Sequence, residues 1–141
     1  MVEKEIKQLV NVSQFDVRWR DLDAQNHVNN STFFTYFEEA RLAWFMSIKQ
    51  AFFQDKSQGP VVVSAKATFF KPLYHPDTVE VHTYAHQPGT TSFLLSYELF
   101  DKNRQLCAAG DSKMVWVDFT KEKSTPLPDF MLQALAADLV G

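Results

Sequence analysis

Ser31 to Phe52 is the one stretch of this chain with the length and periodicity of a long helix; most other apolar segments are short and alternate. At ~1.5 Å per residue such a helix would be roughly 30 Å long. On its wheel Phe33, Tyr36, Phe37, Ala40, Ala43, Trp44 and Ile48 form one stripe, wide enough to need a sheet against it. Leu42 and Met46 fall on the opposite side, among Thr35, Glu39 and Lys49. Two apolar residues one turn apart on a polar face suggest a second buried surface, covered by a partner subunit or an acyl chain.

The strands follow from period-two alternation. Gln14–Arg20 sets Phe15, Val17 and Trp19 on one face, and Pro60–Phe70 is β-branched and apolar. Thr78–His86 alternates Val79, Val81, Thr83 and Ala85 against Glu80, His82, Tyr84 and His86. Thr91–Phe100 puts Phe93, Leu95, Tyr97 and Leu99 together, and Gln105–Phe119 is a long strand with Gly110 as a candidate bulge. Leu127–Leu139 suits a short terminal helix beginning near Pro128. The order is one strand, one long helix and four strands in meander. Such a chain is expected to form a single α+β two-layer domain over residues 1–141.

Composition removes several functions. With 45% hydrophobic residues a core is available. A net charge of -3 and a pI near 5.7 offer no electrostatic footprint for nucleic acid. The single cysteine, Cys107, excludes an intrachain disulfide and fits a reducing compartment. Met1–Lys7 lacks the apolar core of a signal peptide, and no run approaches the roughly 18–20 residues of a membrane span. A soluble, cytoplasmic protein is expected.

The chemistry concentrates in Val17–Asn30, where an alternating pattern passes through a polar turn into the helix. Asp23, Gln25 and His27 lie within five residues, just ahead of a helix N-terminus whose unpaired N–H groups favour negative charge. A carboxylate that takes a proton, a histidine that exchanges one near neutral pH and amides aimed at an oxyanion are the parts of an acyl-transfer site. The plainer reading makes Asp23 a turn cap and His27 a packed loop residue. Asn29, Asn30 or Ser31 can cap the helix. Glu38 and Glu39, about 100° apart on the helix, cannot both face one site, and Arg41 is spaced to pair with Glu38.

Elsewhere the signals are weak. His82 and His86, four residues apart on a strand, are separated by roughly 13 Å, too far to share a metal ion. Ser64 has no Gly-x-Ser-x-Gly surround, Cys107 reads as core, and Lys66 and Lys71 read as surface lysines rather than phosphate ligands.

Asp21-Leu22-Asp23, His27-Val28-Asn29-Asn30 and Tyr36-Phe37-Glu38-Glu39-Ala40-Arg41 together resemble the hotdog-fold thioesterases of the 4-hydroxybenzoyl-CoA thioesterase superfamily. Phe69-Phe70-Lys71-Pro72 and Pro76–Val81 extend the resemblance over most of the chain. The His-Val-Asn-Asn form is similar to long-chain acyl-CoA thioesterases and plant acyl-acyl-carrier-protein thioesterases. Asn26, where the benzoyl-CoA branch has glycine, argues against that branch. The resemblance implies a long helix wrapped by a five-stranded antiparallel sheet. It also implies homodimers, some assembling into tetramers, with active sites at the subunit interface and neither cofactor nor metal. It assigns catalysis to Asp23, with His27 and Gln25 beside it, and substrate contacts to Asn29, Asn30, Glu38 and Glu39. Gln25 departs from the asparagine usual in the plant enzymes. The implied reaction is hydrolysis of an acyl-CoA to free acid and CoA. The alternatives are an acyl-acyl-carrier-protein thioesterase and a non-catalytic hotdog protein that binds acyl thioesters or a partner.

Overall fold

The computed structural model describes residues 7–48, 56–86 and 88–136. Strand β1 (Lys7–Asp16) leads through a short 3-10 turn (Trp19–Asp21) and a loop into helix α1 (Asn30–Ser47). Strands β2 (Gln58–Phe69), β3 (Thr78–His86), β4 (Ser92–Phe100) and β5 (Leu106–Asp118) follow, then β6 (Lys123–Ser124) and helix α2 (Asp129–Ala136). The sheet is antiparallel in the order β1-β3-β4-β5-β2, with β6 paired to the end of β5. It curls around α1, the hotdog arrangement that the resemblance implies.

Alternation sets the core. Val79, Val81, Thr83 and Ala85 of β3 and Phe93, Leu95, Tyr97 and Leu99 of β4 are all buried against α1. From the helix come Phe33, Tyr36, Phe37, Ala40, Trp44 and Phe45. Phe45 is buried in addition to the expected stripe; Ile48 is half-buried but packs against the core, and Ala43 is only half-buried. Leu42 and Met46 are 47% and 65% exposed, on the polar face where the wheel puts them. Met131 and Leu135 of α2 are also buried, and the Phe130 ring meets Trp116 edge-on at 5.9 Å.

Several expectations need correction. Trp19 does not continue the first strand: it is 77% exposed in the 3-10 turn, and β1 begins earlier, at Lys7. The four later strands are not a simple meander. Only β3-β4-β5 run as neighbours, while β2 crosses to the far side of β5 and forms an edge. Helix α1 closes at Ser47, where the Ile48 N–H turns back to Phe45 O at 3.2 Å; the expected continuation over 49–52 lies outside the described residues, as do 137–139 of the terminal helix. Strand β6 had no visible signal.

Gly110 is not a bulge. It pairs in register with Tyr97 and Ala67, and the register shifts fall at Leu9/Asn11, Val62/Ser64 and Leu99/Phe100. What Gly110 provides is room: a Cβ there would lie 2.6 Å from Cε2 of Phe37. That ring is itself stacked on Tyr97, with centroids 4.8 Å apart, so it has no free direction of retreat. Gly110→Ala is therefore expected to cost about 1–3 kcal/mol of stability, the range for overpacking a filled core. Urea unfolding checks this, and a loss within about 0.5 kcal/mol, as for a surface substitution, would contradict the close approach.

Candidate active site

The loop before α1 is built on two aspartates. Asp21 Oδ2 accepts from the Arg18 N–H at 2.9 Å and the Tyr36 hydroxyl at 2.7 Å, while its carbonyl accepts from the Asn29 N–H at 2.9 Å. Burial first, then the Asp21 hydrogen bond and charge, hold the Tyr36 phenol far above its ordinary range, so it stays a donor. The motif reading gave Asp21 no role, yet it ties the loop to the helix. No local signal shows this, because its partner lies fifteen residues away.

Asp23 organises the next turn. Its Oδ1 accepts from the N–H groups of Gln25 (2.8 Å) and His27 (3.2 Å). The Asp23 N–H donates to His27 O at 2.7 Å, and Leu22 bridges Val28. The turn closes through Asn26 at φ 62°, a left-handed conformation that glycine and asparagine adopt at least cost. Glycine and Asn26 thus answer the same backbone demand, and the difference does not argue against the benzoyl-CoA branch.

The turn-cap reading of Asp23 is accordingly true of one oxygen. Oδ2 has no hydrogen-bond partner among the described residues, and Asp23 lines a cavity of about 460 Å³. Gln25, His27, Val28, Asn29 and Asn30 line the same cavity, with Phe33, Phe69, Phe70, Lys71 and Pro72 completing it. The His27 ring packs edge-on to Tyr74 at 5.1 Å, and neither ring nitrogen is engaged among the described residues. Sequence reading missed the role of the apolar wall, because it comes from the end of β2, whose place at the sheet edge no local pattern discloses. Among the lining rings, Phe33 and Phe69 pack edge to face at 5.2 Å.

The helix N-terminus is more selective than expected. Asn29 is the cap, its Oδ1 accepting from Ser31 N at 3.0 Å. The N–H groups of His27, Val28 and Asn29 are all committed, to Asp23 Oδ1, Leu73 O and Asp21 O. That leaves the Asn30 N–H as the amide of 27–30 without a partner among the described residues, at the positive end of the helix dipole.

Glu38 and Glu39 are not brought to this cavity within the chain. Glu39 pairs with Arg18 at 3.4 Å on the β1 flank of the helix. Glu38 lines a second cavity, of about 400 Å³, with Arg41, Leu42, Phe45, Gln58, Pro60 and Met114. Arg41 stands 3.8 Å from Glu38 and donates to the Tyr97 hydroxyl at 3.2 Å. Cys107 is buried, and burial pushes its thiol up to about 11, so it stays protonated and inert. Lys71, read as a surface lysine, lines the first cavity and donates to Asp101 Oδ2 at 2.6 Å and to Gln105 Oε1.

Residues 17–135 match the family described as the thioesterase-like superfamily, and the chain belongs to it. It is 30% identical to a 1,4-dihydroxy-2-naphthoyl-CoA hydrolase of Gloeothece citriformis, over 85% of this chain and 87% of that one. Among solved structures it resembles the PA2801 protein of Pseudomonas aeruginosa, at 39% identity and a TM-score of 0.85, covering 92% of this chain and all of that one. It also resembles the gentisyl-coenzyme A thioesterase BH1999, at 26% identity and a TM-score of 0.79, covering 89% and 99%. No helix among the described residues is long and apolar enough to cross a membrane.

The Lys71 contact carries a pH consequence. Burial raises the Asp101 carboxyl, but the Lys71 ammonium and the Gln105 and Asn103 N–H groups outweigh it and hold it below the usual carboxylate value. Its contribution is therefore complete above the ordinary ~3.9 and disappears as pH falls through the lower folded value. Wild type should lose stability more steeply below about pH 4 than Asp101→Asn, which has no carboxyl to protonate. Urea midpoints measured from pH 5 to pH 2 that run parallel in the two proteins would remove Asp101 from this account.

Proposed function

We propose that this protein hydrolyses acyl-CoA thioesters, with Asp23 as general base or nucleophile and the Asn30 N–H as oxyanion donor. One observation carries the reading: Asp23, with one carboxylate oxygen unpaired among the described residues, and Asn30, with its helix-terminal amide likewise unpaired, line one aromatic-walled cavity. In the general-base route, water oxygen bonds to the carbonyl carbon while its proton passes to Asp23 Oδ2. The oxyanion is met by the Asn30 amide, and the carbon–sulfur bond breaks as the thiol leaves with that proton. His27 and Gln25 position water or the thioester, and Asn29 holds the helix start in place. The rings of Phe33, Phe69 and Phe70 favour a short or aromatic acyl group over a long chain. The aryl-CoA substrates in the names of two relatives support the aromatic choice.

A homodimer is the proposed active unit. Strand β2 is a twelve-residue edge with Val61, Val62 and Val63 exposed, an arrangement that invites pairing unless a second copy covers it. Antiparallel pairing of β2 with its twin sets the Phe69 end of one strand beside the Gln58 end of the other. The Glu38 cavity of the partner subunit then adjoins the Asp23 cavity, which makes Glu38, rather than Glu39, the substrate contact. Leu42 lies on the same flank, and its burial there accounts for one apolar residue of the polar face.

Asp23→Asn separates chemistry from architecture. The amide oxygen can still accept from Gln25 and His27, but it cannot take a proton. Thiol release from the best acyl-CoA is expected to fall at least ~100-fold with the melting temperature preserved. Near-wild-type turnover would reduce Asp23 to a turn residue and favour a non-catalytic binding protein. For assembly, sedimentation at assay concentration should give a dimer; a fully active species at 16.2 kDa would refute the shared site.

A further inference from the structure

The turn between β4 and β5 does more than connect strands. Asp101 Oδ1 accepts from the N–H groups of Asn103 (2.9 Å) and Gln105 (3.0 Å), and the Arg104 N–H returns to Asp101 O at 2.9 Å. Arg104 sits at φ 61°, unusual for a long side chain. The Lys102 N–H is held by Asp77 Oδ1 at 3.0 Å. Lys71 clamps the whole turn through Asp101 and Gln105 while lining the Asp23 cavity, so the turn is fixed to the rim of the site.

The charge distribution is lopsided. Asp101 is spent on Lys71 and on two backbone donors, and Asp77 Oδ1 on two backbone donors. Lys102 and Arg104 are exposed and have no carboxylate partner among the described residues. Lys71, Lys102 and Arg104 against Asp77 and Asp101 still leave one positive charge in excess here, on a chain of net charge -3 and at a turn tied to the cavity through Lys71. On the opposite flank of α1, by contrast, Arg18 is engaged by Glu39.

We infer that Lys102 and Arg104 receive the phosphates of the 3′-phospho-ADP end of coenzyme A, with Lys71 and Asp101 as positioning residues that fix the turn at the rim. The thioester enters past Phe70 and Lys71, and the nucleotide remains outside, where strongly charged phosphates keep most of their hydration. The arginine supplies a planar fork for phosphate oxygens and the lysine a point charge. Exposed cations act mainly by raising capture of a polyanion, so their contribution belongs in KM and weakens with salt. The inference selects free coenzyme A over a protein carrier. It rests on the thioesterase reading for its kinetic arm only.

The test compares wild type with Lys102→Glu/Arg104→Glu on an aryl-CoA and on the matching aryl-pantetheine, which has the thioester and no phosphate. The expected result is a KM for the CoA ester raised about tenfold or more, kcat unchanged, a flattened salt dependence, and an unaltered KM for the pantetheine ester. Equal effects on both esters would mean a structural role, no effect on either would mean an idle turn, and weakened turnover of acyl-carrier-protein esters alone would mean a protein partner; each overturns the inference. Calorimetry with free coenzyme A and with pantetheine covers the case in which wild type releases no thiol. Loss of the coenzyme A preference in the double variant then still supports the phosphate site. An unchanged preference overturns it without reference to catalysis.

Discussion

One carboxylate, that of Asp21, holds the site in the shape the chemistry needs. A single oxygen gathers the Tyr36 hydroxyl and the Arg18 amide, and the carbonyl of the same residue takes the Asn29 amide. Helix, 3-10 turn and helix cap therefore meet at one residue. A hydrogen bond to a charged group contributes about 1.5–3 kcal/mol, enough to decide whether a loop of this length has one conformation. With Asn29 fixed, α1 begins at Asn30, which lines the same cavity as Asp23. Asp23 and Asn30 share a cavity because a neighbouring residue, Asp21, is anchored.

Economy of hydrogen bonding explains why so few groups remain for chemistry. Of the four amides of 27–30, the fold consumes three. Asp23 is divided in the same way, one oxygen committed to the turn and the other without a partner among the described residues. Asn30 is exposed and Asp23 half-buried, so what remains unpaired here is open to a ligand.

Much of the fold was legible because burial on one side imposes strict alternation. The buried faces of β3 and β4 were read residue for residue from Val79 to Leu99. Alternation failed at Trp19, where a pattern of period two ran on into a turn that exposes the ring. It also could not place β2, since the choice between neighbouring β3 and crossing to β5 depends on which edge the long connection reaches. The same limit hid the apolar wall of the cavity. Asp23, Gln25, His27, Asn29 and Asn30 of the motif share one cavity, whereas Glu38 lines another and Glu39 pairs with Arg18, a separation that spacing along the helix does not reveal.

The crossing of β2 has a consequence for how the chain is made. Its ladder joins Gln58 to Asp118 and Phe69 to Ala108, so none of it can form until the last third of the sequence has left the ribosome. The β3-β4-β5 hairpins are local and have the low loop-closure cost of early events. Through that interval Val61, Val62 and Val63 belong to a nascent strand without a sheet, the most aggregation-prone condition a β-branched segment can meet. The bulge at Val62/Ser64 exists only once the ladder has formed, so in the newborn chain it is the charge of Lys66 that works against association of this segment.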